Sequence, residues 1–229
     1  MPVLVSIIVP TLDEAEVIQE TVQGVCALPG LWEVIVADAG STDGTRGIVS
    51  RMPDIRLVDV PRGRGAGMNG GARVASGDIL VFLHADTHLP AAAYELITTA
   101  LSDPATSATA FRLRLDRDDF PYSLVPLASR VRVLVQRTFF GDQAMAMRRI
   151  DFDRVGGFGT AVLMEDVDLS HRLRRIGRLR TLPADVVTSS RRFERYGVFR
   201  TLGFMACLQV AYACRVPANR LARWYADVR

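Results

Sequence analysis

Lysine is absent from this sequence: all 28 basic residues among its 229 are arginine. That excludes a P-loop phosphate lysine, a pyridoxal Schiff base and a lysine general base. Phosphate chemistry must then rest on arginine, backbone N–H groups or a metal. Cysteine is scarce. Cys26, Cys207 and Cys214 form no CxxC pair and are odd in number, which fits reduced thiols in a cytoplasm. With no zinc-ligand spacing and no aromatic-interleaved basic strand, nucleic acid is not an expected partner. Long hydrophobic runs are missing as well. The most membrane-like stretch, 201–214 between Arg200 and Arg215, at ~1.5 Å per residue falls short of ~30 Å of hydrocarbon. A buried helix is expected there, with a helix lying peripherally on the inner membrane face as the alternative. The first five residues carry no basic segment or cleavage site, so no secretory leader is expected.

What is present is apolar enough, at 49%, for one packed core, with 23% charged residues arguing against disorder. A net charge of +3 conceals an asymmetry. Residues 1–111 hold 6 Arg against 13 acids, and residues 112–229 hold 22 Arg against 12, so the halves stand at −7 and +10. The basic half suits anionic partners such as diphosphates or phospholipid head groups.

Short apolar runs at 3–9, 33–37, 55–60 and 78–83 read as buried strands. Between them a helix is expected from near Asp13 to Pro29, a short one capped by residues 42–45, and a third over 72–75 after a glycine-rich segment. Alternating strands and helices indicate an α/β fold with a mostly parallel central sheet flanked by helices, its strand C-terminal ends on one edge. The second half is less regular: strands at 110–115 and 143–147, helices at 124–135 and 167–176. No linker or repeat appears, so one domain is expected.

Candidate chemistry sits at the strand ends. Asp86, with His84 two residues before it, offers oxygen and a softer nitrogen to Mg²⁺ or Mn²⁺; a turn-capping role is the plainer reading. Asp38 precedes small residues, among them Gly40, that let a base or ribose approach, and its carboxylate can accept from ring N–H or ribose hydroxyls. Glu165 and Asp166 open a helix whose dipole favours negative charge, where an acid could deprotonate a hydroxyl; ordinary capping competes. Residues 65–70 match G-x-G-x-x-G, which suggests a dinucleotide oxidoreductase. The intervening Pro61-Arg62-Gly63-Arg64 breaks the direct strand-to-loop connection that fingerprint needs. Arg62 and Arg64 suit a diphosphate instead. A haloacid-dehalogenase-like phosphatase would want an acid at position 40, which is glycine.

Segments 6–14 (SIIVPTLDE), 34–45 (VIVADAGSTDGT), 75–86 (ASGDILVFLHAD) and 164–166 (MED), with 141–143 (GDQ) and 156–158 (GGF), resemble family-2 glycosyltransferases of the GT-A fold. The look-alikes include short bacterial members of the radical-SAM and selenodomain-associated type. The resemblance implies a nucleotide-diphosphate sugar donor, a hydroxyl acceptor (lipid phosphate, small metabolite or glycan) and Mn²⁺ or Mg²⁺. It implies donor contacts at Pro10, Thr11, Glu14, Asp38, Gly40, Arg64, Asn69 and Ala85, metal at Asp86 and His84, and catalysis at Asp166 beside Glu165. It divides the chain into a nucleotide-sugar-binding region (1–111), an acceptor and catalytic region (112–190) and a helical extension (191–229). Two departures stand out. The metal motif reads His84-Ala85-Asp86, one acid short, which leaves an inactive nucleotide-sugar-binding module as the alternative. No Q-x-x-R-W follows Asp166, which argues against processive synthesis; Arg191-Arg192-Phe193 partly fills that space.

Overall fold

The first strand is buried almost throughout, and its residues face alternate sides, which sets the architecture. In β1 (Val5–Thr11), Val5, Ile7 and Val9 face one apolar cluster while Ile8 faces another. The first cluster is closed by α1 (Ile18–Cys26), α2 (Thr45–Val49) and α4 (Ala93–Ser102), through Ile18, Val22, Val49 and Ile97. The second is closed by α3 (Arg64–Val74), α6 (Arg149–Arg154) and α7 (Glu165–Leu173), through Met68, Phe152 and Leu169. A sheet covered on both faces needs near-continuous apolar strands, which is why the first-half runs were legible. The structure, a computed structural model, describes residues 2–159 and 163–226.

The remaining strands are β2 (Trp32–Asp38), β3 (Ile55–Asp59), β4 (Ile79–Phe82), β5 (Thr87–His88), β6 (Thr106–Leu115), β7 (Met145–Arg148) and β8 (Arg178–Thr188). They form one sheet in the order β3-β2-β1-β4-β7-β6-β8-β5. The first four in that order run parallel, while β7 is antiparallel to both β4 and β6, and β5 to β8. The expected mostly parallel sheet therefore describes the first half, and the second half makes it mixed. The ends of β1, β2 and β4 leave Thr11, Asp38 and the 83–86 loop on one edge. Strand β1 runs to Thr11 and so includes Pro10. Its nitrogen points to the β4 side, where pairing has already ended at Ile8↔Phe82, so no ladder bond is lost.

Three expectations are corrected. The glycine-rich segment is not a loop: it lies inside α3, which begins at Arg64 rather than near 72. Glycine is required there by proximity. A Cβ on Gly70 would meet Val60 Cγ1 at 2.5 Å, and one on Gly71 would collide with Ile8 Cγ2, so the helix backbone lies directly on the sheet. The G-x-G-x-x-G match is thus a packing feature. Second, α1 starts at Ile18 rather than near Asp13, because the amides of Asp13, Glu14 and Ala15 are bonded to a neighbouring loop. Third, the helix expected to be buried at 201–214 is α9 (Val198–Ala213), and only Val198, Thr201 and Leu208 of it are buried. No described helix is long and apolar enough to cross a membrane.

Strand β8 had no expectation, since it contains Pro183 among polar residues. Its register against β6 jumps from Ala110↔Thr181 to Arg112↔Asp185, and this irregularity takes up the proline. The other second-half helices are α5 (Leu124–Gln136), α8 (Arg191–Tyr196) and α10 (Ala218–Ala226).

The close approach of α3 is testable. Gly71→Ala should lower stability by about 1–3 kcal/mol through overpacking against Ile8 and Ala37, less the helix-propensity gain of up to about 1 kcal/mol. Gly47→Ala, in α2 with open space around it, should be neutral or stabilising. Urea denaturation of both variants checks the contrast; a Gly71→Ala protein as stable as Gly47→Ala would contradict the packing.

Candidate functional site

Asp38 ends β2 fully buried, and its carboxylate accepts from five donors. They are the Gly40 and Ser41 amides at 3.1 and 3.0 Å, Ser41 Oγ at 2.5 Å, Thr11 Oγ1 at 3.2 Å and the Arg46 guanidinium at 2.9 Å. Burial alone pushes this carboxyl up, but the hydrogen bonds from Ser41, Arg46 and Gly40 outweigh it and hold the group below its ordinary range. The loop that follows is stitched to the loop after β1. Asp13 N donates to Ser41 Oγ, Glu14 N to Thr45 Oγ1, Ala15 N to Asp43 Oδ2, and Thr42 N to Asp13 Oδ1. These two loops form one fixed wall, and open space surrounds Gly40, whose φ of +91° suits glycine. Asp43 acts here as a brace and helix cap, since it also accepts from Thr45 N.

Beside that wall is a small, mostly apolar cleft lined by Pro10, His84, Gly141, Met145, Phe158 and Asp166 among others. The structure thus brings Pro10, His84 and Asp166 to one place. Asp166 is buried in the first turn of α7. Its Oδ2 accepts from Gly141 N at 2.7 Å and its Oδ1 from Val167 N at 2.8 Å, so both oxygens act as acceptors. Glu165 is buried beside it and pairs with Arg64 Nε at 3.3 Å. Burial pushes the Glu165 carboxyl up; Arg64 opposes this, and the neighbouring Asp166 charge adds to it. Arg64 also contacts His84 Nε2. A Cβ at position 141 would run into the Arg64 guanidinium, so this placement of Arg64 uses the space the glycine leaves.

Asp86, two residues past His84, meets Arg191 at 3.3 Å, and the same guanidinium bonds Glu14 at 2.5 Å. Arg191, at the start of α8, therefore ties the loop after β1 to the loop after β4. Thr188 Oγ1 approaches Asp86 Oδ1 at 3.4 Å. Among the described residues no three His, Cys, Asp or Glu side chains converge as a self-sufficient metal site. The donor set still fits a divalent ion. His84 and Asp86 each already face a guanidinium, so the pair attracts positive charge, and Mg²⁺ or Mn²⁺ needs few protein ligands when phosphates and water complete its shell.

Other expected site residues are placed differently. Asn69 is bonded to Phe158 in both directions, Nδ2 to the carbonyl and Oδ1 from the amide, each at 2.9 Å, which makes it a clamp between α3 and the 156–159 turn. Ala85 lies in the core, and its carbonyl accepts from Thr21 Oγ1 at 2.6 Å. Thr11 serves Asp38 directly. Sequence reasoning missed Arg46 and Tyr212. The Tyr212 hydroxyl, on α9, is pushed up by burial and then by the charges of Asp168 and Asp166.

Comparison with known proteins identifies the family and the fold. The model of Glycosyl transferase family 2 matches residues 6–164. Glycosyltransferase AglE of Haloferax volcanii is 36% identical over 91 residues, covering 36% of this chain and 30% of that protein. The probable glycosyltransferase YdaM of Bacillus subtilis is 24% identical over 208 residues, covering 80% of this chain and 49% of its own. This chain thus spans less than half the length of either curated relative. Among solved structures, mannosyltransferase PcManGT from Pyrobaculum calidifontis, in complex with GDP-Man and Mn²⁺, superposes with a TM-score of 0.66 at 26% identity, covering 91% of this chain and 65% of that one. The mixed α/β fold is the GT-A fold, and the chain belongs to glycosyl transferase family 2.

Proposed function

We propose that this chain carries out inverting, non-processive transfer of a sugar from a nucleoside diphosphate sugar to a hydroxyl acceptor. The observation that carries the reading is Asp166: a buried carboxylate at the cleft, both oxygens oriented by backbone N–H groups, facing the same space as Pro10 and His84. A proton acceptor fixed at an apolar-lined cleft is what a general base requires. Glu165 is engaged by Arg64, and of the two acids it is Asp166 that lines the cleft.

On this reading the nucleoside rests against the stitched loops at Glu14 and Gly40, which the buried Thr11–Asp38 pair braces from behind rather than touching the ligand, with the diphosphate directed toward His84 and Asp86. Arg64 and Arg191 supply positive charge beside the diphosphate as its leaving bond breaks. Bound Mn²⁺ or Mg²⁺ at Asp86, with His84 nearby, would supply Lewis-acid neutralisation of the same charge. The similar mannosyltransferase complex holds both GDP-Man and Mn²⁺, which supports a donor and metal of this type. Asp166 takes the acceptor proton as its oxygen attacks the anomeric carbon from the face opposite the diphosphate. The bond to the diphosphate oxygen breaks in the same step, and configuration inverts.

We read residues 1–229 as one transferase unit: 1–111 bind the donor, 112–190 receive the acceptor, and 191–229 form a helical extension. The pairing of β4 with β7 and the reach of Arg191 to Glu14 support it. Lipid phosphate, small metabolite and glycan all suit a basic acceptor half, and exposed Cys26, Cys207 and Cys214 suit a reducing cytoplasm. One observation favours a second reading, a nucleotide-sugar-binding module without turnover: histidine replaces an acid at position 84, and both candidate metal ligands engage arginine. Slow donor hydrolysis by the purified protein with Mn²⁺ supports the enzyme; none across UDP-, GDP-, dTDP- and CDP-sugars supports the module.

With the donor chosen by thermal shift across that panel, Asp166→Asn should reduce kcat by about 10²–10⁴-fold with donor affinity retained. An unchanged kcat in a nucleotide-release assay rules the base out. Asp86→Ala should remove the Mn²⁺-dependent component of donor affinity in calorimetry, as chelation with EDTA does for the native protein. Equal affinity with and without Mn²⁺ in the native protein contradicts the metal assignment.

A further inference from the structure

Helix α5 is built inside out. Its buried positions are Val125 and Ser129, and Arg132 turns inward to lie 3.4 Å from the Phe140 ring centroid. Its exposed stripe is aliphatic: Leu127, Val131, Leu134 and Val135, the last two 75% and 77% exposed. Their spacing of four, three and one residues places them on a single face. Helix α9 repeats the pattern. Phe199, Gly203, Ala206, Cys207, Val210 and Ala213 are exposed at helical spacing, with no charged residue between Arg200 and Arg215.

The two helices are neighbours. Gln136 Nε2 donates to Gln209 Oε1 at 2.7 Å, and Phe120, just before α5, lies 6.2 Å from Phe199 at the start of α9. Phe120 and Phe199 are both largely exposed, as is Trp224 on α10. An apolar surface of this extent marks a site of interaction.

Charge identifies the occupant. Residues 120–140 contain three arginines and no acid, and residues 195–226 contain five arginines and no acid. Arg130, Arg137, Arg200, Arg215, Arg220 and Arg223 are exposed around the apolar stripes. A two-fold pairing of this face with a second copy would set arginines against their own images with no carboxylate in either segment to receive them. An anionic lipid surface satisfies both features, taking aliphatic and aromatic side chains into its interface and arginines at its head groups.

We propose that the α5–α9 face docks on the surface of a bilayer containing anionic phospholipid, with both helices lying in the interface plane. The docking itself does not depend on the transferase reading. It deepens that reading in one respect: the segment leaving α5 carries Gly141, whose amide donates to Asp166, so the docked face adjoins the Asp166 side of the cleft.

Vesicle flotation of the purified chain tests this. It should float with phosphatidylcholine–phosphatidylglycerol vesicles, less so at high salt, and weakly with phosphatidylcholine alone. The exposed double variant Leu134→Glu, Val135→Glu should lose at least about tenfold in binding while keeping its circular dichroism spectrum. Arg130→Gln with Arg137→Gln should lose about 30-fold on anionic vesicles. The proposal is overturned if the native chain fails to float with anionic vesicles, or if the folded Leu134→Glu, Val135→Glu protein floats as well as the native one. It is equally overturned if the native chain forms a dimer that this double variant breaks and shows no vesicle binding. Flotation is read without donor or turnover, so an inactive but floating protein would count against the transferase reading alone.

Discussion

Asp38 is a carboxylate with no solvent around it, so every donor it needs must come from the chain. Meeting that demand draws in Thr11 from the neighbouring strand, the Gly40–Ser41 backbone and Arg46 from the following helix. Once those groups are fixed, the loop after β2 is rigid enough for the loop after β1 to be stitched onto it. One wall of the cleft then has a single conformation before any ligand arrives. Preorganisation of this kind lets a ligand bind without ordering the loops first.

The opposite charges of the two halves of the chain meet at the same cleft. Arg191, from the basic half, bridges Glu14 and Asp86 of the acidic half, and Glu165, from the basic half, pairs with Arg64 of the acidic one. These contacts close the sheet edge and hold carboxylates together that would otherwise repel. They also show how a chain without lysine places positive charge at this edge: guanidinium groups, planar and permanently charged, are stationed beside His84 and Asp86. Under the proposed function a diphosphate would meet cations already positioned by acids.

The first half of the fold was legible in the sequence because a two-sided sheet writes itself as unbroken apolar runs, and β1 to β4 appear within two residues of where those runs stand. Helix α3 was obscured because its glycines are poor helix formers, chosen for contact with Ile8 and Val60, which no local pattern reveals. Strand β8 was hidden by Pro183, whose tolerance depends on an irregular register with β6. The outward apolar faces of α5 and α9 were invisible for a different reason: periodicity defines a stripe and does not say which side meets water. Of the site, Asp38 and Asp86 could be found from their places after strands, and Asp166 from its resemblance to a family motif. Arg191 was marked only by its place after Asp166, and its bridge from Glu14 to Asp86 was not legible, since both partners lie far away in sequence.

The central claim is that the Asp38 wall, the His84–Asp86 loop and Asp166 surround one ligand. A crystal structure of the chain with a nucleoside diphosphate and Mn²⁺ measures this most directly. The expected result is the base or ribose on the loops after β1 and β2 that Asp38 braces, electron density for the metal at Asp86, and Asp166 facing the free end of the diphosphate. A nucleotide bound away from those loops, or a metal held without Asp86, is the opposite result.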